Sequence, residues 1–233
     1  MFRLFLAQRR FQPEIMDQPG LDEGLHHQAL TGLGRLNRVS NATRQLWKPI
    51  QRYSRRQGSR TLRILDVASG AGDIPLGLWK LARKNGIALR ILGLDASSTA
   101  CEYATQQCSP AGGSIGFRQM DVTRDELPTG FDIVTCSLFL HHLSSAQAAK
   151  LLKGMGAAGR LLVVSDLRRC AAGYALAQLA CHLLTRSQVV GSDGPQSVAN
   201  AFSLSEVHEL CRAAELESAS VRAVWPCRLM LVR

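Results

Sequence analysis

The residues whose types and spacing could do chemistry are Asp66, Gly70 and Gly72, Asp95, the pair His141-His142, and Asp166. In the stretch Arg63-Ile-Leu-Asp66-Val-Ala-Ser-Gly70-Ala-Gly72-Asp73-Ile-Pro75, glycine at 70 and 72 permits positive φ. It also lets a ligand reach main-chain N–H groups with no Cβ in the way. Strand, glycine turn and a helix starting near Asp73 make a nucleotide-type binding corner, the helix N-terminus offering unpaired donors. Asp95 lies 23 positions after Gly72, near the spacing at which a carboxylate meets the two hydroxyls of a ribose. Capping the next helix, a job Ser97 can share, is the alternative for a strand-end aspartate. His141 and His142 stand in Leu140-His-His-Leu143, and a positioned histidine can take a proton from a hydroxyl. A purely structural strand exit is the other reading of that pair. Asp166 is a second candidate base, or the cap of the following helix.

Other ligand chemistries are excluded. No Gly-Lys-Ser/Thr accompanies the turn, and the third glycine slot of a dinucleotide fingerprint holds Pro75. The seven cysteines include no CxxC pair, and no His/Cys/carboxylate cluster shows ligand spacing, so no metal is expected.

The elements that must position these residues alternate in type. Arg63 to Val67 reads as a strand buried on both faces, and a helix follows from Asp73 to Arg83. Leu89 to Asp95 is the second strand, Ser114 to Met120 the third, Phe131 to Ser137 the fourth, and Arg160 to Val164 the fifth. Ser144-x-x-Gln147 and Ser203-x-x-Glu206 are capping boxes that open helices. Ala171 to Leu184 is a nearly all-apolar helix, and a polar loop through Gly191 and Pro195 is expected to reach Phe202. Ser218 to Val224 and Cys227 to Val232 close the chain as a hairpin. Upstream, residues 1 to about 20 read as irregular. Asp22 caps a helix running to about Asn37, and a second helix spans about Asn41 to Arg56.

Asp66-x-x-x-Gly70-x-Gly72 resembles motif I of the class I S-adenosylmethionine-dependent methyltransferases, with Ala68 where the family usually has its first glycine. The resemblance implies an α/β fold: a doubly wound, seven-stranded, mostly parallel sheet with an antiparallel C-terminal hairpin and an N-terminal helical cap. Residues 1–60 would be the helical extension, packed over the cofactor mouth. Residues 61–233 would be the Rossmann-like domain, with an inserted apolar lid helix at about 171–200. It also implies S-adenosylmethionine as cofactor, leaving as S-adenosylhomocysteine. Asp66, Ala68, Ser69, Gly70, Gly72, Asp73, Ala96, Ser137 and Leu138 would line the cofactor site, Asp95 would meet the ribose hydroxyls, and Asp121 with Val122 would meet the adenine. The exit loop lacks the Asn/Asp-Pro-Pro-Tyr/Phe signature of nucleic-acid amino methyltransferases.

A finer likeness extends to the flanks, Met16 to Ser40 and Leu184 to Phe202. It points to a bacterial subgroup that accompanies type III polyketide synthases and to quinone-biosynthesis methyltransferases. It implies a small hydrophobic phenolic or quinol-like acceptor, O-methylated in preference to C-methylated, with His141, His142 and Asp166 as catalytic candidates. RNA methylation and a silent cofactor-binding module are the competing functions.

The composition, 46% hydrophobic and 20% charged over 233 residues, is that of a single globular domain with embellishments. The formal charge of +10 is uneven. No acid occurs from Gly24 to Leu65, and residues 35–63 could meet an anionic membrane or an acidic partner as readily as they could form a solvated face. A first apolar run too short for a signal peptide and the absence of a membrane-length segment lead us to expect a cytoplasmic protein.

Overall fold

The computed structural model describes residues 6–15, 22, 24–25, 28, 31–32, 37, 41–58, 60–184 and 188–233. At its centre is a seven-stranded sheet: β1 (Leu62–Val67), β2 (Leu89–Asp95), β3 (Ile115–Gln119), β4 (Phe131–Ser137), β5 (Gly159–Leu167), β6 (Ser220–Val224) and β7 (Arg228–Val232). Their spatial order is β3-β2-β1-β4-β5-β7-β6. Pairing is parallel from β3 through β5, and β7 joins antiparallel to both β5 and β6. The expected architecture is therefore present, closing hairpin included.

Both sheet faces are covered, which is why the parallel strands carry long apolar runs. Successive residues point to opposite faces, so Leu65, Val67, Val134, Leu162 and Val164 enter one core. Ile64, Ile91, Ile133 and Val163 enter the other. The first core is closed by α4 (Ser145–Ala158) and α7 (Leu204–Ala213), each opened by the expected capping box. The second is closed by α1 (Ala42–Ser54) and α2 (Asp73–Lys84). Between β2 and β3 lies α3 (Ser98–Gln107), capped by Ser97, whose hydroxyl accepts from the Ala100 N–H.

One expectation needs correction. The segment read as a polar loop is a helix, α6 (Gln188–Asn200), with Pro195 inside it. Packing overrides the local breakers: α6 lies along α5 (Ala171–Leu184) and buries Val189, Val190 and Val198. The apolar α5 leaves Leu176, Leu179 and Leu183 exposed. The helix α1 buries Leu46, Trp47 and Ile50 against the sheet beside α2, within the second core.

The helix expected from Asp22 to Asn37 falls largely outside the described residues, as do His26 and His27. The Leu25 N–H does donate to the Asp22 carboxylate at 3.0 Å. Of the basic stripe, Arg44, Lys48, Arg52, Arg55 and Arg56 are exposed. Arg60 pairs with Asp132 at 2.6 Å, and Arg63 lies over the Phe131 ring.

Candidate active site

The strand order reverses at β1, whose neighbours β2 and β4 leave in opposite directions, and open α/β sheets bind ligands at the carboxyl edge of such a point. Asp66, at the end of β1, is paired in register with Gly93 and Thr135. It is buried, and the Thr135 hydroxyl donates to its Oδ1 at 2.6 Å. Burial pushes its carboxyl up to about 7, against the opposing pull of the Thr135 and Ser69 hydrogen bonds.

The glycine turn then bends hard. Ala68 has φ 55°, Gly70 φ 50° and Gly72 φ 74°. A methyl-bearing residue in the left-handed region is strained, and Ala68 accepts that strain where glycine is the usual occupant. A Cβ on Gly70 would meet nothing within 4 Å, so this side of the turn is open. At Gly72, by contrast, a Cβ would stand 2.9 Å from Ala104 and Phe117.

Asp95 ends β2 facing this turn. Its Oδ2 accepts from the Gly70 N–H at 2.8 Å, and its Oδ1 from the Ser97 N–H at 3.0 Å. The ribose candidate and the motif turn are thus one structure, with Ala96 next to it accepting from Gln119. Asp73, at the start of α2, is bonded by Asn37 Nδ2 at 3.1 Å. Asp121 is more exposed; Thr123 donates to it from both backbone and hydroxyl, which hold its carboxyl below the usual range against the effect of partial burial. Val122 beside it is buried in the first core.

At the exit of β4, Leu138 takes φ 58° and donates its N–H to the Ser165 carbonyl. Ser137 pairs across to Ser165, and both hydroxyl oxygens are buried with no hydrogen-bond partner among the described residues. Unsatisfied buried hydroxyls at the edge of a sheet are the sort of group a bound ligand completes.

Residues 64–159 match a family model described as a methyltransferase domain. That stretch, under half of the chain, is similar to methyltransferase domains. It is 27% identical over 127 residues to the ubiquinone biosynthesis O-methyltransferase of Methylococcus capsulatus, covering 53% of this chain and 51% of that protein. It is also 27% identical over 133 residues to the ubiquinone/menaquinone biosynthesis C-methyltransferase UbiE of Azotobacter vinelandii, covering 54% and 50%. The chain thus spans about half the length of these curated relatives. The magnesium protoporphyrin IX methyltransferase of Synechocystis PCC 6803, solved with S-adenosylhomocysteine bound, shares the fold at TM-score 0.58 and 15% identity. That alignment covers 94% of this chain and 91% of that one.

The residues at this carboxyl edge fit an adenosine-bearing cofactor. The open side of Gly70, the Asp95 carboxylate and the unpartnered Ser137 hydroxyl lie along the carboxyl edge of adjacent strands β1, β2 and β4.

A second cluster adjoins it. His141 is buried, and its Nδ1 lies 2.6 Å from Asp166 Oδ1, while its backbone N–H points to Asp166 Oδ2 at 3.3 Å. Asp166 is inside β5 rather than capping a helix. Burial alone would raise its carboxyl, yet the His141 ring and the Leu167 N–H hold it below the ordinary value. The His142 ring is 4.2 Å from that of His141, centroid to centroid.

Glu14, which sequence reasoning missed, joins this pair. Its Oε1 is 3.7 Å from His141 Nε2 and its Oε2 3.8 Å from His142 Nε2. The segment carrying it is stapled down: Arg9 donates to the carbonyls of His141, Leu143 and Asn200 and lies over the Phe202 ring. The Ile15 N–H donates to Asp193. No periodicity or motif marks residues 6–15, so no signal in the sequence pointed to Glu14.

Proposed function

We propose that this protein methylates a small, hydrophobic aromatic acceptor, a phenol or quinol, using S-adenosylmethionine, with oxygen ahead of carbon as the target atom. The observation that carries the reading is the Asp95 carboxylate seated on the Gly70 N–H, a carboxylate and glycine turn joined at the sheet's switch point. When bound, the cofactor supplies an electrophilic methyl group. The chain holds the two reactants in near-attack geometry, which needs positioning and little covalent help. Asp95 receives the ribose hydroxyls, Asp121 and Val122 flank the adenine, and the 68–72 turn with Ser137 and Leu138 lines the methionine end. At the acceptor end, the His141–Asp166 pair and His142 are placed to receive the proton a hydroxyl loses.

Similarity to both an O- and a C-methyltransferase of quinone biosynthesis supports the acceptor class. The C-methyltransferase keeps carbon open as the alternative. RNA methylation is the weaker reading, because part of the basic stripe is engaged internally by Asp132 and Phe131. The exposed basic face of α1 is left for an anionic surface or an acidic partner. No helix among the described residues is long and apolar enough to cross a membrane. Seven free thiols suit a reducing compartment such as the cytoplasm.

Calorimetry with S-adenosylhomocysteine tests the reading. We expect saturable heat, and a melting temperature raised by about 5–10 °C near 100 times Kd. In Asp95→Ala, loss of charge-assisted hydrogen bonds should weaken binding at least about tenfold. Absence of heat with the wild-type chain, or undiminished affinity in the variant, refutes the cofactor assignment. Labelled cofactor incubated with phenolic lipid extracts then identifies the acceptor.

A further inference from the structure

We propose that Glu14, His141 and His142 bind a divalent transition-metal cation of the Zn2+ class, which would sit beside the cofactor cavity. Their ligand atoms all lie within 4.8 Å of one another, and no other such group of His, Cys, Asp or Glu occurs among the described residues. The two carboxylate–imidazole separations, 3.7 and 3.8 Å, are too long for hydrogen bonds. They suit a shared ion: one about 2.1 Å from each atom would see them at roughly 120–130°, open of tetrahedral. Two histidines and one carboxylate, with coordination positions left for a further ligand, is the donor set of catalytic zinc and of open non-haem sites.

The surroundings are those of a built site. Asp166 fixes His141 through Nδ1, which turns Nε2 toward Glu14 and makes a carboxylate–histidine–metal arrangement. Glu14 is itself oriented: Ser197 Oγ donates to its Oε2 at 2.8 Å and Asn200 Nδ2 to its Oε1 at 3.2 Å. Glu14 is only 3% exposed, and a carboxylate so removed from water calls for positive charge beside it. Glu14 and the two histidines lie far apart in the chain, so the cation would also clamp residues 6–15 onto the β4 exit.

The inference does not rest on methyl transfer, but it bears on the acceptor end. Ring nitrogens that hold a cation cannot also receive a proton, so metal content decides which role the histidines have. A coordinated phenolic or catecholic oxygen would then be the natural occupant of the open position.

The test uses the full chain without an affinity tag, stripped with EDTA and titrated with Zn2+ and Co2+. We expect one equivalent bound, with a visible cobalt d–d band and no thiolate-to-cobalt charge-transfer band. Glu14→Gln and His142→Ala should each weaken Zn2+ binding at least about 100-fold. Asp166→Asn, acting through His141, should weaken it by about 10–100-fold. S-adenosylhomocysteine binding, measured in parallel, shows whether each variant is folded and whether the cofactor reading stands on its own. The cobalt spectrum needs no variant. No bound equivalent, a thiolate charge-transfer band, or unchanged affinity in folded Glu14→Gln and His142→Ala overturns the site.

Discussion

Replacing Asp66 by asparagine keeps the shape and the oxygen that accepts from Thr135 while deleting the titratable group. In the folded protein that carboxyl is pushed up to about 7 from 3.8, chiefly by burial. Between those values the folded chain keeps the proton and the unfolded chain has released it, so this group makes stability fall as pH rises from about 4 to 7. Above 7 the loss is complete. A gap of about 3 units corresponds to ~4 kcal/mol at full development, an order-of-magnitude figure because interior charges relax. Asp66→Asn should therefore resemble the wild type below about pH 4 and become progressively more stable than it above that, with the difference complete by about pH 8. Urea denaturation at one-unit pH intervals gives the difference directly, and taking variant against wild type cancels every other titrating group. A difference that stays flat from pH 5 to 8 refutes the reasoning, since the carboxylate would then be charged at no cost. The stabilised variant should bind S-adenosylmethionine less well. A buried acid kept at the cofactor cavity against its own stability is the expected trade between stability and function. If the cationic cofactor lies beside Asp66, wild-type affinity rises with pH through 7 and Asp66→Asn loses that dependence.

Other substitutions read the backbone of the same cavity. Ala68→Gly relieves a left-handed alanine worth ~1–2 kcal/mol while adding unfolded-chain entropy of ~0.5–1 kcal/mol. Thermal melting should thus show equal or slightly raised stability, and a drop beyond about 1 kcal/mol would contradict the strain. Gly93→Ala would place a Cβ 2.5 Å from the Phe117 ring and 2.6 Å from Ser69 Oγ. It should cost ~1–3 kcal/mol in denaturant titrations and loosen the motif turn, whereas Gly116→Ala, with nothing within 4 Å, should be tolerated.

The acidic strand ends, the glycine turn and the closing hairpin were legible because each is a local pattern. Asp66, Asp95 and the 68–72 turn need only their own strand and the start of the next helix to be recognised. Ser144 and Ser203 announce their helices for the same reason, since a capping box is complete within four residues. Local chemistry also misled. Gly191, Gly194 and Pro195 are turn residues by propensity, yet residues 188–200 are helical because α5 and the 6–15 segment cover them. The apolar length of α5 does not say which of its residues are covered, and only its placement shows Leu179 and Leu183 exposed.

What the sequence determined by itself is the βα framework and the cofactor corner, whose signals repeat at strand and helix periods within one supersecondary unit. What only the tertiary structure decided is the partnership at the far end of the cavity. His141 is turned by Asp166 across two strands, and Glu14 arrives from a segment without periodicity, held by Arg9, Ser197 and Asn200. Side chains so far apart in the chain meet only once the whole sheet has closed, and no short-range pattern encodes that encounter.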